Sequence, residues 1–420
     1  MLKTLILKEI RSNLVTGKIL LISLILLILI SLSLYLMYES YKLQVENYNI
    51  IKPKAKDTYI VKPPNPLSIF GFGMEEYISR KYKDDFEGVG IPDAVTVQKS
   101  LNRFNHILPE LDLLNIVKIV LSLMAIFLAF DLISHDRETG SLKILNSYSF
   151  KISKFLHTKI FVNLACLLIP FALITIIGIL FLIFYTNLSF DLNDYIRICF
   201  FLILSLLYIS LFFLVAFLIS ILFRNSSLCL ILGLLFWASS VFIIPNFAVI
   251  GSRYISGDYY ADKYSLANWE NFIKYRFLEE QEQLKNQNTK NELIIRNKYV
   301  SKWHNASSRQ FNAYIKKQQK LLTFINIFTR LSPVGFYVLP STIILGTSPF
   351  DDLHIKVKYA NYLNQNVFPN KKKQISEFEY FDKKDLVNIF SSFALNFICM
   401  LILIVGLLFL IYNRFRKNRY

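Results

Sequence analysis

Between two apolar runs of this 420-residue chain lies Ser134–Gly140, SHDRETG, where Asp136, Arg137 and Glu138 stand consecutively. Such a cluster could do hydrolytic chemistry, relay ions or form polar contacts at an interface, and each role needs different companions. The chain has no G-x-x-x-x-G-K-[ST] phosphate loop, no H-E-x-x-H pair and no G-x-S-x-G elbow. Nucleotide hydrolysis and hydrolytic catalysis therefore have no residues to carry them. The four cysteines, Cys166, Cys199, Cys229 and Cys399, all fall inside apolar runs, with no C-x-x-C or paired Cys/His spacing. That pattern excludes a zinc site and a disulfide-built external module. Lys118 and Asp131 lie within a turn or two of the edge of an apolar run, where snorkelling relieves a charge, whereas an ion relay needs charge nearer the middle. No catalytic residue, metal ligand or cofactor is expected of the chain itself, and the cluster reads as part of an interface.

The elements that must position it are long and apolar. With 54% hydrophobic residues and a mean hydropathy of +0.41, the chain gathers its apolar residues into runs as long as a bilayer is thick. Six runs have the ~20 residues a spanning helix needs: 19–38, 113–133, 160–185, 198–223, 228–247 and 386–412. The first follows Lys3, Lys8, Arg11 and Lys18 but is too long for a signal-peptide core and lacks a small-x-small cleavage site, so it reads as a retained helix. The fold class is an all-α polytopic membrane protein.

Lys and Arg in short loops favour the cytoplasmic side. The N-terminal arm, the basic tail at 413–420 and the segment 134–159, with Arg137, Lys143, Lys151, Lys154 and Lys159, belong inside on that rule. The connection TNLSFDLNDY, with Asp191 and Asp194 and no base, belongs outside. Both termini are then cytoplasmic. In the arm, 1–17, Leu2, Leu5, Ile6, Ile10 and Leu14 line one helical face, which suits an interfacial elbow helix ended by Gly17.

Two extracytoplasmic insertions remain, 39–112 and 248–385. In the first, Pro53, Pro63, Pro64 and Pro66 exclude helix and Gly71 and Gly73 punctuate, so mixed strand and loop are expected. In the second, Leu266, Trp269, Ile273 and Phe277 recur at spacings of three and four, a polar tip LKNQNTKNE follows, and then come Ile295, Tyr299 and Trp303. That pattern predicts a helical hairpin. The formal net charge is +17, and the second insertion, with 21 Lys and Arg against 13 Asp and Glu, holds nearly half the excess.

FDLISHDRETGSLKILNSYSFKISKFLHTKIF resembles the loop after the second helix of ABC-2-type (type V) transporter permeases, through Asp131, Arg137, Glu138, Gly140, Ser141, Leu142 and Lys159. YIVKPPNPLSIFGFGMEEYISR and RLSPVGFYVLPSTIILGTSPFDDLHI are similar to the two ectodomain signatures of the subfamily of permease components associated with multicopper enzyme maturation. Ser147, Tyr148, Ser149 and Phe150 stand where the family often has a proline-ending turn.

The resemblance implies a short intracellular helix that inserts into a groove of a separate ATP-binding cassette subunit, which binds the ATP. Leu142, Ile144, Leu145 and Tyr148 would form its apolar face and Arg137, Glu138 and Lys143 its polar rim, with Gly140 letting the chain turn out of the membrane helix. It also implies a second permease copy, identical or merely similar, in a bacterial cytoplasmic membrane. A partner on the extracytoplasmic side is compatible with the insertions, and a nucleic-acid partner is not expected. The Leu-, Ile- and Phe-rich spans show no polar stripe, which favours a hydrophobic or amphiphilic cargo.

Overall fold

The computed structural model describes residues 2–51, 59–61, 63–73, 81–83, 111–141, 152–186, 188, 190–256, 261–285, 292–366 and 385–417. Among the described residues six helices are long and apolar enough to cross a membrane: Lys18–Ile50, Leu113–Glu138, Lys154–Tyr185, Leu192–Leu222, Ser226–Ser252 and Ile389–Arg416. They match the six runs expected from sequence. The chain is an all-α polytopic membrane protein. Successive spans alternate direction, so the elbow helix, residues 139–141, the 223–225 turn and the end of the sixth span share one face, here the N-terminal face. The described parts of the long insertions share the other, the insertion face.

The fourth span is the central pillar, with 61% of its apolar window buried against 17% for the sixth. Phe201, Tyr208, Phe212, Phe213 and Phe217 on it are fully enclosed. Apolar helices gain little from one another in lipid, which is as greasy as they are, so close packing and satisfied polar atoms set their register. Two π-helical turns supply such contacts, because widening one turn frees a backbone carbonyl. In the second span, Ile116–Leu121 is π-helical, and the Lys118 carbonyl accepts from the Tyr208 hydroxyl at 3.0 Å. In the fifth, Ser239–Ile243 is π-helical, and the Ser240 carbonyl accepts from Ser332 Oγ at 2.8 Å. Ser332 in turn caps the short apolar helix Pro333–Leu345. Tyr337 of that helix stacks on Tyr208 at 4.5 Å and shares a hydrogen bond of 3.1 Å with Ser205.

The two insertion stretches with family-like sequence meet here. Asn65 Nδ2 donates to the Leu345 carbonyl at 2.7 Å, and Thr347 Oγ1 donates to the Gly71 carbonyl at 2.9 Å. Asp112 caps the second span through Asn115 N and takes the Phe72 N–H at 2.8 Å. Glycines allow this approach: a Cβ on Gly71 would lie 2.6 Å from Leu345 Cδ1, and Gly73, at φ +48°, would meet the Thr347 carbonyl at 2.6 Å.

Two features differ from the sequence reading. The helix of the first span continues past Tyr38 to Ile51, because no residue stops it before Pro53. Among the described residues, the strand content of that insertion is one antiparallel ladder, Tyr59–Val61 against Lys81–Lys83. In the second insertion the hairpin forms, from Ala261–Lys285 and Glu292–Thr329, and buries Ile295, Tyr299 and Trp303 as the spacing predicts. The first helix, however, leaves Trp269, Ile273 and Phe277 exposed and turns a polar edge inward. There Asn268 bonds Ser307, and Glu282 accepts from Lys298 at 2.7 Å and from Tyr299 at 2.5 Å. The Lys298 bond first, then that of Tyr299, holds the Glu282 carboxyl below its usual range. The contact is therefore complete at neutral pH and is lost as pH falls through that lowered value.

Gly335 packs with its Cα against the end of the preceding helix, and a Cβ there would lie 2.3 Å from the Thr329 carbonyl. Gly406, in the sixth span, has open space. Gly335→Ala is expected to lower the thermal unfolding temperature of the detergent-solubilised protein, whereas Gly406→Ala is expected to leave it unchanged or raise it, by up to about 1 kcal/mol of helix propensity. Equal responses would contradict this packing.

Candidate functional site

The charged segment after the second span is rooted in a polar cluster on the N-terminal face. Lys159, at the start of the third span, leaves only 8% of its side chain exposed. Its ammonium pairs with Asp136, donates to the Leu132 carbonyl at 2.7 Å and stands 4.0 Å from Glu9 of the elbow helix. One cation thus joins the elbow, the second span and the third. An unpaired charge at this depth costs several kcal/mol, so the three oxygen partners are a requirement of burial.

The elbow helix, Leu2–Val15, is fastened by its polar residues. Asn13 Nδ2 donates to Asn163 Oδ1 at 2.9 Å, and Asn163 Nδ2 donates to the Lys159 carbonyl at 2.9 Å. Leu7, Ile10 and Leu14 stay exposed, as an interfacial helix facing acyl chains requires. Gly17, at φ +69°, makes the turn into the first span, whose Lys18 lies 3.7 Å from Asp131.

Arg137 and Glu138 reach the other way, to the turn between the fourth and fifth spans. Arg137 Nη1 donates to the Ile221 carbonyl at 2.6 Å. Glu138 takes the Ser226 backbone N–H at 2.8 Å and the Ser226 hydroxyl at 2.9 Å. This places a carboxylate at the N-terminus of the fifth-span helix, where the unsatisfied N–H groups and the helix dipole favour it. Ser220 Oγ accepts from the backbone N–H groups of Ile133 and Ser134, both at 3.0 Å. Gly140 is left-handed at φ +70° with open space around it, consistent with a chain turning out of a membrane helix.

Of the residues that sequence singles out, Asp131, Arg137, Glu138 and Lys159 are brought to this cluster, and Gly140 ends the segment with open space around it. Leu142, Lys143, Leu145 and Tyr148 lie outside the described residues. Sequence reasoning missed Glu9, Asn13, Asn163, Ser220 and Ser226 as parts of the cluster. The available signal was an amide or acid on otherwise apolar helices, which in lipid must find an internal partner. Among the described residues no group of three His, Cys, Asp or Glu could hold a metal ion.

Lys159→Met removes the shared cation and leaves Asp136 and Glu9 without it. The expected loss is about 3–5 kcal/mol of stability, as for breaking a buried ion pair. It is read as a lower unfolding temperature in detergent, with a further substitution, Asp136→Asn, restoring part of it. A variant as stable as the parent would show that the ammonium does not hold these helices.

The model of the ABC-2 family transporter protein matches residues 4–419. No curated protein and no solved structure matches the chain. The family match takes in the elbow helix, all six spans, the polar cluster and both insertions, so the chain belongs to the ABC-2 transporter family, the membrane-spanning permease subunits of ABC systems that work with an ATP-binding subunit.

Proposed function

We propose that this permease couples ATP hydrolysis in a separate ATP-binding cassette subunit to export of a hydrophobic or amphiphilic cargo, with segment 134–159 as the part the ATPase grips. One observation supports this above others: the root of that segment is bonded to the elbow helix and to the ends of the first five spans, through Glu9, Lys18, Asp131, Lys159, Ile221 and Ser226. A force applied to the segment is delivered to nearly the whole bundle. On this reading Leu142, Leu145 and Tyr148 enter the groove of the ATPase and Lys143 contacts its rim. Arg137 and Glu138 hold the segment to the bundle, a more specific role than rim contact. ATP binds the partner subunit, and this chain uses no cofactor. On this reading the N-terminal face, whose short loops carry Lys and Arg, lies on the cytoplasmic side of a bacterial cytoplasmic membrane, with both termini inside. A second permease, the same or similar, completes the translocation path. The finer likeness to multicopper enzyme maturation permeases rests on the two insertion stretches alone.

A second reading has its own observation. The hairpin's return helix, Glu292–Thr329, is 38 residues or about 57 Å long at 1.5 Å per residue, far more than a connection between two spans needs. Such a rod suits a subunit that transmits ATP-driven motion to a partner beyond the membrane without transporting anything.

Purified alone, the chain is expected to hydrolyse no ATP, and co-expression with its ATP-binding subunit is expected to yield an active complex. Leu142→Asp with Leu145→Asp places charge in the proposed packed interface, which should release the ATPase on affinity purification while membrane insertion persists. A complex that survives with full ATP-driven activity would overturn the coupling role of the segment.

Removing the hairpin tip, 284–293, separates the two readings. Export predicts altered cargo efflux from vesicles with near-normal basal ATPase activity. Force transmission predicts loss of capture of an external partner, with no transported molecule affected.

A further inference from the structure

The hairpin's return helix carries a charge pattern of which the fold uses Lys298 alone and the coupling role nothing. After Glu292 it contains no acid. Lys302, Arg309 and Lys316 recur every seven residues, and Lys298 and Lys320 extend the series by four at either end. At 3.6 residues per turn these five side chains fall within about 40° of one another. All five are exposed. Ser307, Phe311, Tyr314 and Ile315, which the same helix buries, lie on the opposite side.

The stripe stands up from the membrane. The helix packs along Ile244–Ser256, the last turns of the fifth span and the residues just beyond it, and along Ala261–Lys285. Just beyond its lower end Ser332 bonds Ser240 within the fifth span, and near its top Lys298 bonds Glu282. From Lys298 to Lys320 the stripe rises about 33 Å at 1.5 Å per residue. Lys298 is neutralised by Glu282, which leaves Lys302, Arg309, Lys316 and Lys320 as the working cations. The rings of Tyr299 beside Lys302 and Phe324 beside Lys320 cancel no charge.

The geometry limits what can occupy the stripe. A flat bilayer surface reaches only its lowest residue. A folded acidic protein requires an apolar core to its interface, and between these cations stand Asn305, Ala306, Asn312 and Ala313. A single-stranded nucleic acid binds by stacking bases on exposed aromatics beside its cations, and on the helix that carries the stripe Tyr299, Trp303, Phe311 and Tyr314 are buried, the exposed Trp269 and Phe277 belonging to the other helix of the hairpin. Three of the four working cations are lysines, compact point charges suited to phosphate oxygens in any orientation, whereas planar carboxylates favour the arginine fork. We propose that this face of the hairpin binds a flexible linear polyanion with phosphate groups repeated along its chain, laid along the rod away from the membrane. The proposal is independent of the coupling role of segment 134–159.

The test uses the full chain in nanodiscs of zwitterionic lipid, with long-chain inorganic polyphosphate as the probe and triphosphate at equal phosphate concentration as the short control. Polyphosphate is expected to bind at least tenfold more tightly per phosphate. Its logarithmic salt dependence should have a slope near −3, at roughly 0.7 per neutralised charge on a flexible chain. Replacing Lys302, Arg309, Lys316 and Lys320 together with Gln should weaken binding more than tenfold without shifting the unfolding temperature, since all four are exposed. Replacing Arg414 and Arg416, near the end of the sixth span on the opposite face, together with the following tail residues Lys417 and Arg419 serves as the charge-matched control and should leave binding intact. Equal affinity for triphosphate, or equal loss from both quadruple variants, would overturn the proposal.

Discussion

A buried ammonium sets the arrangement of one end of this molecule. Lys159 sits at the membrane edge with almost no access to water, so its charge must be met by oxygens from the protein. Those oxygens come from Asp136, Leu132 and Glu9, on elements that apolar packing alone would leave free to slide. Acyl chains compete evenly for leucine and isoleucine surfaces but offer a buried cation no partner. The elbow helix shows the consequence, with Glu9 and Asn13 facing the third span and leucines left for the bilayer.

The fourth span connects this end to the other. Ser220 and Ile221 receive the last turns of the second span, and Tyr208 and Ser205 receive the second-span carbonyl and the Pro333–Leu345 helix. These two sets lie about 18 Å apart along one helix at 1.5 Å per residue. Between them the aromatic side chains of Tyr208, Phe212, Phe213 and Phe217 are fully enclosed. A close-packed interior transmits displacement because it has no free volume to absorb it. The proposed coupling needs such a member, and the insertion stretches are bonded to the helices that flank it.

Polar atoms inside the bundle do this work through ordinary chemistry. Ser122, Ser134, Ser205, Ser220 and Ser240 are all buried, and each takes part, by hydroxyl or backbone, in a contact with another helix. Small hydroxyls bring helices close while meeting a partner's polar group, which lipid offers no alternative for. The π turns add two carbonyls to the same economy of contacts.

The sequence by itself determined the elements and their order. Bilayer thickness turns an uninterrupted apolar run into a spanning helix, and the six runs, the elbow, the turn at Gly17 and the hairpin follow from length, periodicity and glycine placement. What the sequence left undecided is which face meets which neighbour. Trp269, Ile273 and Phe277 have the spacing of a packed stripe yet face outward, because Asn268 and Glu282 find partners on the returning helix. Arg137 and Glu138 read as contacts for another protein, and the fold gives them the turn between the fourth and fifth spans. Lys159 reads as one more inward-facing base until Glu9, 150 residues earlier in the chain, is brought beside it. Local periodicity fixes an element's type because it acts over a few residues. The pairing of polar groups far apart in sequence is set only when the helices pack, because each such group has several equivalent partners until burial leaves it one.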